Sequence, residues 1–390
     1  MKKPVTISAT GLRQAPAERL NLVAVVAADA GVAAKLRLLG HRPGSLESRY
    51  QIKFASDTLG SSLKFRESFM RPSRLLGSIV VITGLVVGLS LRQSLLHMPR
   101  IRVGPLHSVA GGGEKLRFFA LGDTGTGGAD QFKVGQAMNE RCVQMGGADG
   151  ILLLGDNAYP VGMDSVHDSQ WQKKIIEPYS GSCLDKLPIY AVLGNHDYKN
   201  NPAAQIEFTL LNRRWHMPNR FYSVSFGSLL KIIALDSNMV DICLKPAFCG
   251  IDFLRESLHT DPTTWTFVMA HHPIESSSDH GFNYRGGLAG MLMRPYLCDR
   301  ADAYLSGHSH HLEHLKHGNC RLDMFVSGGG GGDLYRTVAG VDDSRFAVTK
   351  FGFLELNVTA AAMVSRFISA DGLVLYETTK APALGTQVHL

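Results

Sequence analysis

Five times between residues 116 and 310 a short apolar run gives way, through Gly or Ala, to an acid, an amide or an imidazole. The runs are LRFFAL before Gly122-Asp123, ILLL before Gly155-Asp156, and IYAVL before Gly194-Asn195-His196-Asp197. Two more are WTFVMA before His271-His272 and AYLS before Gly307-His308-Ser309-His310. Apolar runs of this length read as buried strands, and the segments 132–143, 169–178, 251–258 and 287–297 between them are long enough for helices. Binding sites of α/β sheets collect at the carboxyl ends of strands. Strand ends carrying Asp, Asn and His therefore point to one polar cluster. The tail, about 346–378, alternates, and Ala370-Asp371-Gly372 reads as a hairpin turn. Gly328 to Gly332 forms a flexible loop, and the chain contains no G-x-x-x-x-G-K-[ST], which excludes a nucleotide P-loop.

The formal charge of +6 over 390 residues conceals two regions. Residues 1–110 hold 16 Lys and Arg against 5 Asp and Glu, whereas the remainder holds 24 against 29. The basic excess belongs to the N-terminal part, where anionic lipid is a plausible partner, and no nucleic-acid groove is expected on the rest. A mildly acidic main region suits a protein that must hold multivalent cations. All six cysteines (Cys142, Cys183, Cys243, Cys249, Cys298 and Cys320) follow residue 140, and none forms a C-x-x-C pair. An even number in one region is compatible with disulfides in an oxidising compartment, and Cys243 and Cys249 are close enough to close a small loop. Six buried thiols are the other reading.

Residues 1–69 show weak patterning, and the apolar stretch 20–34 carries Asp29, which makes it a poor membrane span. Residues 75–91 hold no charge and are bounded by Arg71, Arg74 and Arg92. As a helix they would reach roughly 25 Å, slightly short of a bilayer core. A buried core helix would ordinarily show a polar face, so a membrane anchor is preferred, an uncleaved signal anchor beginning near Met70. Residues 92–114, ending in Gly111-Gly112-Gly113, read as a linker. The expected organisation is an extension (1–69), an anchor (70–92), a linker (93–114) and a catalytic domain (115–390).

Hydrolysis of a phosphate ester brings an anionic nucleophile to an anionic phosphorus and releases an alkoxide. Two neighbouring cations ease both steps, provided that a carboxylate bridges them and hard oxygen and imidazole donors surround them. The strand ends offer Asp123, Asp156, Asn195, His271, His308 and His310. Each alone is weak: a Gly-Asp pair is commonly a turn, and a single His is more often a surface or hydrogen-bonded residue. Together and in this order they form a constellation.

The series GDTG (122–125), GDNAY (155–159), GNHD (194–197), VMAH (268–271) and GHSH (307–310) resembles the calcineurin-like metallophosphoesterases. More narrowly it is similar to the purple acid phosphatases, because the first motif lacks D-x-H and the second ends in tyrosine. The stretch AQIEF…RRWHMPNRFYSVSF (204–226) and the DHG at 279–281 resemble the small tartrate-resistant type, over roughly residues 115–378. The resemblance implies a mixed α/β fold, a four-layer α/β/β/α sandwich with two mixed sheets. It implies a ferric ion on Asp123, Tyr159 and His310, a divalent iron, zinc or manganese on Asn195, His271 and His308, and Asp156 bridging them. His196 and His280 would contact the phosphate and assist the leaving group; a loop histidine is the plainer reading of His280. Asp279 stands beside it, and Asn157 and Asp197 would orient the ligands. His272 and His311 follow ligand histidines and are expected to face away, because neighbours on extended chain point to opposite sides.

The implied activity is acid hydrolysis of small phosphomonoesters through a metal-bound hydroxide, by a membrane-anchored protein whose catalytic domain lies outside the cytoplasm. The rivals are a phosphodiesterase or nucleotide-cleaving enzyme on the same fold, and a non-catalytic membrane protein that binds phosphate or a partner. Substrate, divalent metal and oligomeric state are not legible.

Overall fold

The computed structural model describes residues 21–24, 32–41, 48–56, 107–109, 113–241, 250–260, 262–278, 287–338 and 341–383. The chain divides into two units, Met1–Leu96 and His97–Leu390. In the first, strands β1 (Asn21–Ala24), β2 (Val32–His41) and β3 (Ser48–Ser56) form an antiparallel sheet in the order β1-β2-β3. The patterning of residues 1–69 is weak. Yet Arg49, Gln51 and Lys53 alternate with Tyr50, Ile52 and Phe54, the period of two that a strand requires. The apolar run 75–91 lies outside the described residues, among which no helix is long and apolar enough to cross a membrane.

The second unit is built on two mixed sheets. One has seven strands: β5 (Lys115–Leu121), β6 (Gly150–Leu153), β7 (Ile189–Ala191), β8 (Trp215–His216), β16 (Gly352–Thr359), β17 (Met363–Ser369) and β18 (Val374–Lys380). The order is β18-β17-β16-β5-β6-β7-β8, parallel from β5 to β8 and antiparallel on the other side. The other sheet has eight: β4 (His107–Val109), β9 (Tyr222–Phe226), β10 (Leu230–Ala234), β11 (Trp265–Met269), β12 (Ala303–Ser306), β13 (Leu312–Lys316), β14 (Asp323–Ser327) and β15 (Ser344–Val348). Its order is β15-β13-β14-β12-β11-β10-β9-β4, with β10, β11, β12 and β14 parallel.

The runs are apolar throughout because both faces of these strands are covered. Ile232, Phe267, Leu305 and Phe325 enter the core between the sheets, where Phe118 meets Phe226 edge-on at 5.0 Å. Their neighbours Ile233, Val268, Tyr304 and Val326 enter a second core with Leu254 of α4 (Ile251–Ser257) and Met293 of α5 (Gly287–Leu297). Helix α1 (Ala129–Gln144) buries Val134, Met138 and Cys142 on the seven-stranded sheet, and Cys142 is bonded to Cys183. Short helices α2 (Pro202–Glu207) and α3 (Ser237–Asp241) follow β7 and β10. Of the expected helices, 132–143, 251–258 and 287–297 match within a few residues, whereas 169–178 contributes a π-helical turn at Gln172–Ile176. A second disulfide joins Cys298 to Cys320, and Cys243 and Cys249 lie outside the described residues.

Candidate dinuclear metal site

The carboxyl ends of β5, β6 and β7 in one sheet and of β11 and β12 in the other carry Asp123, Asp156, Asn195, His271 and His308. The chain turns sharply there. Asp123, Asp156 and His308 take positive φ values of 59°, 54° and 65°. That conformation costs a non-glycine residue free energy, and such strain clusters at functional sites. The glycines of the motifs make room for their neighbours' donors. A Cβ on Gly194 would lie 2.1 Å from Asp156 Oδ1, and one on Gly307 would lie 2.6 Å from Asp123 Oδ2.

The side chains sort into two groups that share Asp156. In the first, Tyr159 Oη donates to Asp156 Oδ2 at 2.8 Å and lies 3.0 Å from both Asp123 Oδ1 and His310 Nε2. In the second, Asn195 Oδ1 lies 3.0 Å from His271 Nε2 and 3.1 Å from His308 Nδ1. His308 Nδ1 and His271 Nε2 are 3.2 Å apart. Asp156 Oδ1 turns towards this group, 3.6 Å from His271 Nε2, and accepts the His196 N–H at 2.8 Å. Separations of about 3 Å are the edges expected around an ion bound by donors about 2.1 Å away.

The donors fit two cations. Asp123 Oδ2 is buried without a hydrogen-bond partner among the described residues. His271 Nδ1 meets the Leu154 carbonyl at 3.0 Å and His310 Nδ1 the Asp333 carbonyl at 2.6 Å. Each carbonyl takes the Nδ1 proton and leaves an Nε2 lone pair facing the cluster. Burial pushes the Asp123 carboxyl up, but His310, His271 and His308 draw it below the ordinary range. Burial, then Asp123 and Asp156, hold the Tyr159 phenol far above its ordinary pKa. It therefore stays protonated until a strong cation offsets those carboxylates.

A further layer ties the motifs together. Asp197 accepts N–H groups from Gly194 at 2.8 Å and Asn157 at 3.1 Å and the Gln205 amide at 2.7 Å. Burial and neighbouring Asp156 nevertheless raise it to about 7. Asn157 Nδ2 reaches the Val192 carbonyl at 2.8 Å and Gln205 Oε1 at 2.9 Å. His196 stands against Tyr159, ring centroids 4.4 Å apart, with Nδ1 2.8 Å from the Pro160 carbonyl. Asp279 and His280 lie outside the described residues.

His272 departs from the sequence expectation. Its ring lies 4.5 Å from that of His308 and 5.0 Å from that of His271. Residues 271 and 272 follow the end of β11 at Met269, in a bend, so strand alternation does not govern them. His311 does turn away, with Nε2 2.8 Å from buried Glu313. Sequence reasoning also missed Gln205, Lys199 (Nζ 3.1 Å from His196 Nδ1) and Tyr335, which stacks on His310 at 4.1 Å. Gln205 and Tyr335 are joined to the site by contacts between separate segments, which no local signal marks, whereas Lys199 stands three residues after His196.

Two mixed sheets with clustered Asp, Asn, Tyr and His donors at their carboxyl ends define a metallophosphoesterase fold. Residues 116–312 match the calcineurin-like phosphoesterase family, and the chain belongs to that family of hydrolases. Human tartrate-resistant acid phosphatase type 5 is 28% identical over 301 residues, 67% of this chain and 90% of the relative. Purple acid phosphatase 3 of Arabidopsis thaliana is 28% identical over 291 residues, 68% of this chain and 77% of the relative. Among solved structures, GAP50, the anchor in the inner membrane complex of Plasmodium, has a TM-score of 0.59 at 22% identity, covering 69% of this chain and 90% of its own. The yellow lupin purple acid phosphatase PPD1 has a TM-score of 0.56 at 15% identity, over 86% and 59% of the two chains. Both structures share the fold.

Proposed function

We propose that this chain is a metal-dependent acid phosphatase that hydrolyses phosphomonoesters at a centre of one ferric and one divalent ion. The observation that carries the reading is Tyr159, whose phenol oxygen lies within 3.0 Å of Asp123, Asp156 and His310. A phenolate is a hard, strongly donating anion that suits a trivalent ion, whereas amide and imidazole suit a divalent one. Asp123, Tyr159 and His310 would hold the first ion, Asn195, His271 and His308 the second (iron, zinc or manganese), with Asp156 between them. Bound there, the ions supply Lewis acidity and lower the pKa of water.

The chain's own groups set the geometry. The His196 backbone N–H fixes Asp156 Oδ1, and the Pro160 carbonyl accepts the ring's Nδ1–H; as an imidazolium the same ring would carry a second proton, on Nε2, to give to the leaving group. His280 shares that role. The complete donor set favours turnover over a purely phosphate- or partner-binding part. Two disulfides support an oxidising, extracytoplasmic setting for residues 115–390. Residues 70–92 would anchor the protein in a membrane, with 93–114 as linker and 1–69 as an extension.

The test is turnover of p-nitrophenyl phosphate by the iron- and zinc-loaded full chain, together with a visible ferric–phenolate absorption. Tyr159→Phe should abolish the absorption. Preference for bis(p-nitrophenyl) phosphate would move the reading to a phosphodiesterase. Absence of turnover with both ions bound would end it.

A further inference from the structure

Helix α1 ends at Gln144, beside a part of the seven-stranded sheet where basic side chains collect. Arg117 of β5 pairs with Asn357 of β16, which pairs with Val364 of β17, and opposed residues share a face. Lys115 and Arg366 lie two residues from Arg117 and Val364, and so on that same face. With Arg141 and Met145 from the end of α1 they line an open cavity of about 280 Å³. That is close to the ~300 Å³ at which small-molecule sites begin. Lys115 and Asp123 stand at opposite ends of β5, roughly 20 Å apart at about 3.3 Å per residue, so the cavity is separate from the dinuclear site.

Four cations, Lys115, Arg117, Arg141 and Arg366, share this lining with one carboxylate, that of Glu355. Glu355 is fully buried and already occupied. Its Oε2 accepts the Arg141 Nε–H at 2.5 Å, and its Oε1 accepts the Arg366 Nη1–H at 2.8 Å and the Asn357 amide at 2.6 Å. Lys115 and Arg117 form no ion pair among the described residues. Arg117 Nη1 donates to the carbonyls of Met145 and, at 3.2 Å, Gly147, which holds the guanidinium in place without neutralising it. The Asp149 carboxylate is turned to the backbone, where its Oδ2 accepts the Arg117 N–H at 2.7 Å. A fixed guanidinium beside an ammonium suits a tetrahedral oxyanion, because the fork presents several N–H donors to neighbouring oxygens. Met145, Ala362 and Val364 add apolar surface against which a short carbon body can lie. We propose that this cavity binds a phosphate or sulfate group, free or carried on a small organic molecule, through Arg117 and Lys115.

The test is titration calorimetry of the metal-loaded full chain with inorganic sulfate and with hexyl sulfate, neither of which contains a phosphoester. Inhibition of p-nitrophenyl phosphate turnover by the same anions reads the dinuclear site separately. A hydrogen bond to a charged group is worth roughly a 10- to 100-fold change in affinity. Arg117→Gln should therefore weaken sulfate binding at the cavity by about tenfold or more. Lys115 is exposed, and its side chain makes no hydrogen bond or ion pair among the described residues. Lys115→Glu therefore keeps the question open to measurement should Arg117→Gln fail to fold, and it should weaken binding by about fivefold. Neither substitution should alter KM or the inhibition constant. Tighter binding of hexyl sulfate would identify an organic ligand, and equal binding the free anion. Absence of binding would overturn the proposal. Binding that is unchanged in Lys115→Glu would overturn it too, by placing the anions at the dinuclear site. The calorimetric arm stands even if the protein turns over no phosphomonoester.

Discussion

The two ends of the sandwich treat buried charge in opposite ways. At the amino ends of the parallel strands, Asp323 Oδ1 meets His314 Nε2 at 2.9 Å and Lys316 at 3.3 Å, and Asp323 Oδ2 meets Lys380 at 2.9 Å. Lys380 comes from β18 of the seven-stranded sheet and also donates to the Asp302 carbonyl at 2.6 Å. Each Asp323 oxygen faces a basic group there, Oδ2 at ion-pair distance without a hydrogen bond among the described residues, and the network joins the two sheets. At the carboxyl ends, Asp123 and Asp156 share one phenol, Asp123 Oδ2 has no hydrogen-bond partner among the described residues, and Asn195, His271 and His308 crowd their acceptors together. A fold that can match buried charge at one end and leaves it unmatched at the other is arranged around cations.

The comparison breaks most readily at Asp156, whose two oxygens face the two donor groups. Asp156→Ala should remove both ions and lower turnover by on the order of 10³-fold, with metal analysis and p-nitrophenyl phosphate as the measurements. Two retained ions with near-normal turnover would show that the near end does not depend on a shared carboxylate. The far end should respond in the other currency. Lys380→Met leaves Asp323 short of a partner and should cost about 3 kcal/mol of stability in chemical denaturation, with kcat unchanged.

The near end was legible in the sequence and the far end was not, for a physical reason. Strands covered on both faces write continuous apolar runs, and an open sheet puts its ligands at their ends, so Asp123, Asp156, Asn195, His271 and His308 are marked by local context. Lys380 and Asp323 are joined only through space, and nothing around either residue announces the other. Gln205 escaped for the same reason, whereas His272 escaped because an alternation rule was carried past the end of β11. The strands at 32–41 and 48–56 were missed because the alternation of basic with apolar residues runs for only a few residues in each.

Acid should sharpen the contrast further. Burial pushes the Asp323 carboxyl up, but His314 and Lys380 outweigh it and hold the group at about 2. A depressed carboxylate contributes stability above its unfolded pKa of about 4 and loses it as the pH falls towards the folded value. The native protein should therefore lose about 2 kcal/mol between pH 4 and pH 2 through this group. Asp323→Asn should be less stable at neutral pH and should lose correspondingly less on acidification. Parallel thermal midpoints for the two proteins across that range would show that the network contributes nothing specific.

The smallest effect is expected at Glu313, a buried carboxylate at the near end that belongs to neither donor group. Its Oε2 accepts the His311 Nε2–H at 2.8 Å and the Ser277 N–H at 2.9 Å, and its Oε1 accepts the Ser344 hydroxyl at 2.7 Å. His311 adjoins His310, and Ser277 stands two residues before Asp279, so one side chain ties a ligand-bearing turn to the segment that leads to His280. Glu313 is held below the ordinary carboxylate range, because its partners outweigh the burial that would raise it. Glu313→Gln keeps the shape but removes the charge and turns one acceptor into a donor facing either Ser344 or the Ser277 N–H. The metal content should survive, since no donor to the ions is touched. Turnover should fall by about tenfold, the lower end of what such outer partners contribute, and more steeply for an alkyl phosphate than for p-nitrophenyl phosphate. That difference separates the two explanations open to the variant. A displaced leaving-group acid harms only the substrate that needs protonation, whereas a general loosening of the fold harms both alike. Equal losses would make Glu313 a structural charge matched within the chain, of the same kind as Asp323. The boundary between matched and unmatched charge would then run one residue past His310.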